Sequence, residues 1–444
     1  MWYYWNIDKS ACSTYRANQK KELGWVTEGG HACAICLKVC PTGTRNNPNF
    51  SAMNFKILIL LIAGHFVTDI NTGALPAFLP FIKDFLSLTY TMTALIILIF
   101  NVTSSVIQPI FGYFSDRWSA RWLLPAGPFI ASLGLGLLGL GPSYAWILFF
   151  ASLSGVGQAS YHPEGFKTVN FLSGQKKATA ISLFHFGGNL GFAAGPILAT
   201  LFFTHFGLKG SLWFVLPGIA MLAVFLTTKR WRVKVSPPAL NAKYSSGPGT
   251  SRRRFLSMAL LLLVVVLRSA TRLSLLIFVP FYFIKILNHD PLVAGKYLSV
   301  FLLCGTVGVV TGGPLADRFG YKRTVLFSLG LTSVFLYLFF FTTGVISLIF
   351  FAIAGLLIIS SNAVTMAMGQ SFMPQNVGMA SGLILGLAMG IGGIVTTALG
   401  WVADNFGLPF TLQISFILPL FAFLTFLYLP YPPPDQPSAS SPSP

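Results

Sequence analysis

The chain has 444 residues, of which 54% are apolar and 9% charged, with a mean hydropathy of +0.72. Soluble domains carry about 25% charged residues, so a soluble globular protein is excluded and most of this chain has lipid as its solvent. The net charge of +18 raises nucleic acid or another polyanion as a partner, a possibility that the placement of the basic residues removes.

In chain order, residues 1–52 form a polar leader without the apolar h-region of a secretory signal. Four of the five cysteines, Cys12, Cys33, Cys36 and Cys40, lie in it. The string CAICLKVCPTGT resembles the cluster-binding stretch of bacterial ferredoxins, with Cys33, Cys36, Cys40 and Pro41 matching its last three thiolates and its proline. Gly30 stands at the first ligand position, so one iron site lacks its thiolate unless Cys12 or His31 supplies a ligand. The leader is read as disordered or as lying before the native start, with Met53 opening the membrane region. No cofactor or metal is expected. A membrane-anchored redox protein using these cysteines is the competing reading from another class.

Apolar runs that approach the roughly 20 helical residues needed to cross a bilayer fall near 57–82, 92–111, 122–141, 144–162, 178–204 and 210–228. Six more fall near 255–286, 294–314, 323–343, 345–369, 378–402 and 408–430. The sequence predicts an all-α membrane protein of twelve transmembrane helices in two pseudo-symmetric six-helix bundles, 53–228 and 255–430. A basic linker at 229–254 joins them, and a low-complexity, disordered tail occupies 431–444. Assigned alternately to two sides, the inter-span loops put sixteen basic residues on one and four, Lys83, Lys209, Lys285 and Lys296, on the other. The positive-inside rule places the first side and both termini in the cytoplasm. The excess charge is therefore topological, and nucleic acid is not an expected partner. The linker, KRWRVKVSPPALNAKYSSGPGTSRRR, is interrupted by Pro, Gly and Ser and reads as flexible; contact with anionic headgroups is the alternative use of its charge. Cys304, alone within a span, reads as a small core residue.

The first span places His65 and Asp69 four residues apart on one helical face, with Asp69 about 18 Å deep at 1.5 Å per residue. A charge at that depth costs about 3 kcal/mol on insertion scales and faces a cavity or a partner. The fourth span ends in GQASYHPEGFK, with His162 and Glu164 on either side of a proline, and the fifth carries His185 and Asn189 four apart. Each histidine taken singly reads as a hydrogen-bonded core residue. Together Asp69, His65, Glu164, His162 and His185 form a set of exchangeable protons.

The seventh span sets Arg268 and Arg272 four apart, at nearly the depth of Asp69 and too deep to snorkel. Spans one and seven are counterparts in the two halves, so an acidic face opposes a basic one across a central cavity. One reading is a structural ion pair. The other, preferred because two arginines exceed what one aspartate neutralises, is an anion site in which Arg268, Arg272, His65 and Asn189 hold a phosphonate, phosphate or carboxylate.

Two loops 201 residues apart carry the same signature, GYFSDRWSAR from Gly112 and GPLADRFGYKR from Gly313. Gly112, Asp116 and Arg117 in the first recur as Gly313, Asp317 and Arg318 in the second. Each glycine allows close helix approach, and each aspartate is suited to a helix N-terminus or a neighbouring arginine when the halves close on that side. The alternative is a solvated turn that anchors topology. The pair resembles the loop motif of the major facilitator superfamily, G-x-L-a-D-R-x-G-x-R/K, through Gly313, Leu315, Ala316, Asp317, Arg318, Gly320 and Lys322. The first copy departs at Phe114 and Ser119, and a vestigial copy, GWVADNFG, spans Gly400 to Gly407. In the fifth span Gly187, Gly191 and Gly195 share one face, with Pro196 next. That segment resembles the antiporter motif of exporting members, while ordinary tight packing explains the same spacing.

The strings HFVTDINTGALPAFLP, QPIFGYFSDR, YHPEG and LFHFGGNLG resemble the fosmidomycin-resistance branch of the superfamily. The resemblance implies efflux of a phosphonate drug by proton antiport in the bacterial inner membrane. The sequence thus predicts transport rather than catalysis: a monomeric secondary transporter in the lipid bilayer, exporting a small anion in exchange for protons through alternating access. Uptake of an organic anion by proton symport uses the same residues. No Walker loop is present to suggest ATP-driven pumping.

Overall fold

Lipid offers the backbone no hydrogen-bond partner, so long apolar segments satisfy their own amides as helices. The computed structural model describes residues 55–88, 90–118, 120–228 and 248–431, and no strand occurs among them. The cysteines of the leader, Ser119, most of the linker and the tail beyond Tyr431 lie outside the described residues.

The first half contains α1 (Phe55–Phe85), α2 (Tyr90–Asn101), α3 (Gln108–Trp118), α4 (Leu123–Leu138), α5 (Tyr144–Leu172), α6 (Lys177–Phe206) and α7 (Val215–Thr228). A π-type turn at Val102–Val106 joins α2 to α3. The chain reverses after α6 at Gly207, whose φ of +59° suits glycine. The second half contains α8 (Pro248–Phe281), α9 (Pro291–Phe319), α10 (Tyr321–Phe341), α11 (Gly344–Phe372), α12 (Val377–Gly382), α13 (Ala388–Phe406) and α14 (Leu408–Leu427). Another π-type turn, Leu383–Leu387, joins α12 to α13. A third π-type turn, Tyr282–Ile286, continues α8.

Among the described residues nine stretches are long and apolar enough to cross a membrane, one of them, Lys177–Thr228, covering both α6 and α7. Two of the twelve expected passes fall short for physical reasons. α4 has 16 residues, and α5 is diluted by Gln158, His162, Glu164, Lys167 and Asn170. α5 also runs ten residues past the expected end at 162, straight through Pro163. α6 likewise continues through Pro196 without a break.

Large side chains such as Ile197, Leu303, Phe327 and Val345 are exposed, as expected of a surface facing hydrocarbon. Hydroxyls inside the helices bond to carbonyls one turn back, Thr68 to Gly64 at 2.8 Å and Thr332 to Ser328 at 2.6 Å. Three apolar clusters fill the interior. One is confined to the first half, around Phe78, Ile96, Phe150 and Phe214. Another is confined to the second, around Phe278, Phe301, Phe351 and Phe416. The third joins both halves, with Leu61, Phe166 and Phe184 beside Val264, Ala316 and Val364. The halves therefore share a core at one end, where α6 packs on α9 and α3 on α12, and keep separate cores at the other.

Candidate functional site

A cavity of about 350 Å³ lies between the halves. His65, Asp69, His162, His185 and Asn189 line it from the first half and Arg268 and Arg272 from the second. The acidic and basic faces expected from spans one and seven thus border one chamber.

Asp69 is held by histidines rather than arginine. His65 Nε2 lies 3.2 Å from Asp69 Oδ2, and His162 Nε2 lies 3.1 Å from Oδ1. Gln158 Nε2 donates to Thr72 Oγ1 at 2.6 Å and lies 3.4 Å from Asp69 Oδ1. Each histidine is braced through its other nitrogen: His65 Nδ1 sits 2.7 Å from the Phe184 carbonyl, and His162 Nδ1 3.4 Å from Gln108 Nε2. Space for this cluster comes from Gly188, where a methyl group would overlap both His65 Nε2 and Asp69 Oδ2.

Across the cavity, Arg268 is 6% exposed and donates to Ser361 Oγ at 3.2 Å and Thr365 Oγ1 at 3.0 Å. Both partners are neutral hydroxyls on α11. Arg272 Nε is buried without a hydrogen-bond partner. No ion pair among the described residues joins either arginine to a carboxylate, so the structural-pair alternative is not what the chain builds. Two guanidiniums beside a cavity, with no carboxylate paired to either, have the chemistry to receive an anion. Atoms of His65, Asp69 and His162 lie within 4.8 Å of one another, a spacing a metal ion could use, but the guanidiniums opposite disfavour a divalent cation by like charge.

The repeated loops form two clasps between the halves. Asp116 accepts from the backbone amides of Gly378 and Met379, both at 2.9 Å, at the start of the Val377–Phe406 pass. Asp317 accepts from the amides of Ala178 at 3.2 Å and Thr179 at 2.8 Å, and from the Thr179 hydroxyl at 2.7 Å, at the start of α6. A carboxylate on exposed N–H groups at a helix start is favoured by hydrogen bonding and by the helix dipole together. Gly112 abuts the Gly378 carbonyl and Gly313 the Ala178 carbonyl, so closely that a Cβ on either would collide. Arg117 and Arg318 stay exposed, over the rings of Tyr113 and Phe319 at 4.9 and 5.3 Å. The aspartates, not the arginines, make the contact.

The two clasps differ around this shared plan. Near Asp116, Lys167 Nζ lies 2.9 Å from Glu164 Oε2 and 3.9 Å from Asp116 Oδ1, and Ser115 donates to Glu164. Near Asp317, Tyr321 donates at 3.1 Å and stacks on Tyr431. Burial pushes the Tyr431 phenol up to about 12, which keeps it neutral at physiological pH. Lys322 donates to the carbonyls of Leu427 and Leu429, each at 3.0 Å, and so caps the end of α14.

Several expected site residues sit elsewhere than their sequence grouping implied. Glu164 is 1% exposed and belongs to the first clasp, not to the cavity wall. His65, expected against the substrate, has both nitrogens engaged. Gly187, Gly191 and Gly195 pack against the carbonyls of Ile62, Phe66 and Ile70, pressing α6 onto the helix that carries Asp69. The vestigial copy lies at the end of α13, remote along that pass from Gly378, and so takes no part in either clasp. Phe184, Gly188, Gln108 and Gln158 were not anticipated, because a carbonyl, a glycine and neutral amides carry no chemical signature in sequence.

The family model of the Major Facilitator Superfamily matches residues 61–311 and 260–443. The chain is 31% identical over 387 residues to the MFS-type transporter YfnC of Bacillus subtilis (strain 168), covering 86% of this chain and 94% of that one. It is 30% identical over 386 residues to the fosmidomycin resistance protein of Escherichia coli (strain K12), covering 85% and 93%. Its fold matches the E. coli fucose:proton symporter FucP with a TM-score of 0.69 at 16% identity, covering 85% of this chain and all of that one. This multi-pass membrane protein belongs to the Major Facilitator Superfamily of transporters.

Proposed function

We propose that the protein exports a small organic anion, of the phosphonate class, in exchange for protons through alternating access. The observation that carries this is the Arg268 and Arg272 pair lining the cavity with no carboxylate against it, opposite the His65, Asp69 and His162 cluster. The anion occupies the arginines, with Asn189 beside them. Asp69 carries the exchanged proton, with His162 and His185 beside it in the cavity wall, and Glu164 acts through the clasp. By the positive-inside rule the clasps face the cytoplasm, so the described form is closed to the cytoplasm and takes its proton from outside. The two halves, 53–228 and 255–430, rock as bodies about the cavity, in a monomer in a bacterial inner membrane with cytoplasmic termini. Similarity to a fosmidomycin resistance protein over most of both chains supports outward transport of such an anion.

Uptake by symport has one observation in its favour. A proton on Asp69 removes the negative charge that shares the cavity with the arginines, which strengthens their field on an incoming anion. Purified protein in vesicles loaded with fosmidomycin, a sugar phosphate or a cationic dye separates the readings. Antiport accelerates anion efflux when the outside is acidified, and symport retards it. Equal handling of anions and the cationic dye, or no response to the gradient, would overturn proton-coupled anion transport.

A further inference from the structure

We infer that the cavity stores a single exchangeable proton, seated between His65 Nε2 and Asp69 Oδ2, with the Phe184 carbonyl as the group that fixes it there. The inference deepens the proton-coupled reading above; the proton's seat follows from hydrogen-bond chemistry alone.

A carbonyl oxygen only accepts, so at 2.7 Å from Phe184 O the His65 Nδ1 carries hydrogen. In a neutral ring the opposite nitrogen, Nε2, is then a bare acceptor. It stands 3.2 Å from Asp69 Oδ2, which in an ionised carboxylate is also an acceptor. Two acceptors do not bond, so the contact exists only with one proton between them, on the imidazole or on the carboxyl.

His162 has the opposite assignment. Gln108 Nε2 donates to the Ser104 carbonyl at 2.6 Å, which fixes the nitrogen end of that amide towards His162 Nδ1 at 3.4 Å. His162 Nδ1 therefore accepts, and its Nε2–H donates to Asp69 Oδ1 at 3.1 Å without any added proton. His162 is a fixed donor and a positioning residue.

The other ionisable groups around the pair store no second proton. Tyr161, on α5, keeps its hydrogen on the Leu61 carbonyl at 2.6 Å. His185, on α6, lines the cavity with a buried Nε2 that has no partner to hold an added charge, and Arg268 and Arg272, on α8, oppose a further positive charge there. Gln158 and Thr72 are neutral. The described form, closed at the clasps, is thus the proton-loaded form.

The seat also touches both helices that end in clasps. Phe184 lies on α6 five residues beyond Thr179, whose amide holds Asp317. His162 lies on α5 two residues before Glu164, which sits in the Asp116 clasp. Loss of the proton sets Nε2 against the carboxylate and loosens α1 from both.

The test is a titration of purified transporter carrying nitrogen-15 histidine, read by NMR, with exposed His205 and His289 replaced by glutamine to simplify the spectrum. No substrate is needed, so its outcome is independent of which anion is carried. The expected result is one cavity titration step of one proton, with His65 holding Nδ1–H throughout and His162 neutral with its hydrogen on Nε2. Asp69→Asn removes or displaces that step. His162→Gln, whose amide can replace the donor, retains it. A second cavity histidine titrating in the same range, hydrogen on His162 Nδ1, or a His65 step indifferent to Asp69→Asn would overturn the assignment, and the unmodified protein alone decides the first two.

Discussion

Asp116 and Gly378, 262 residues apart in the chain, meet at 2.9 Å from carboxylate oxygen to amide nitrogen. The contact joins a loop of the first half to a helix start of the second. Charge-assisted hydrogen bonds contribute about 1.5–3 kcal/mol each and each aspartate accepts at least two, so Asp116→Ala or Asp317→Ala should shift the population towards the form open at the clasp end by roughly a hundredfold or more. Spin-label distances across that end, in protein free of substrate, would check this.

Gly112 and Gly313 leave no room for a side chain against the opposite half. Gly112→Val and Gly313→Ala should therefore hold the clasps open and reduce transport at least tenfold while the protein still inserts and folds. Gly390→Ala, where nothing lies within 4 Å, is the comparison expected to behave like the parent. Transport and melting curves measured side by side separate a blocked clasp from a misfolded one.

Gly188→Ala should act on the proton rather than on the anion. The added methyl overlaps His65 and Asp69 while leaving Arg268 untouched, so anion binding should persist within a few-fold and pH-gradient-driven transport should fall at least tenfold. An equal loss of both would place Gly188 in general packing.

Arg268→Ala should weaken anion binding by one to two orders of magnitude, about 1.5–3 kcal/mol for a charge-assisted contact, and leave cationic dyes unaffected. Arg268→Lys should recover little, since one ammonium cannot hold Ser361 and Thr365 and still present a planar fork to an anion. Calorimetry with phosphonates on the purified variants reads both.

Asp69→Asn should abolish pH-gradient-driven transport while sparing substrate exchange between the two sides of a vesicle. Uphill transport that survived unchanged would remove Asp69 from coupling.

The ionisable groups of the cavity were legible because charge in an apolar run is conspicuous: Asp69, Arg268 and Arg272 stand out against their own helices. What could not be read was whom each would meet. Asp69 pairs with His162, 93 residues away, and not with the arginines its depth suggested. Glu164 was grouped with His162 on proximity in sequence, yet residues two apart on a helix point roughly 200° apart, so one faces the cavity and the other the clasp. The clasps were legible as a repeated glycine, aspartate and arginine, but their partners are backbone amides at helix starts, which no side-chain pattern records. The twofold plan was read from the loops and the apolar runs; α4 and α5, expected as spans at 122–141 and 144–162, form a helix of 16 residues and a longer one diluted by polar side chains.

The two clasps exchange partners: the first half supplies one carboxylate and receives the other. Neither half owns a complete fastening, so a tilt that frees one strains its counterpart at the same moment. Such reciprocity favours an all-or-none switch over a graded one, and a leak through a half-released intermediate is suppressed by the symmetry of the joint itself.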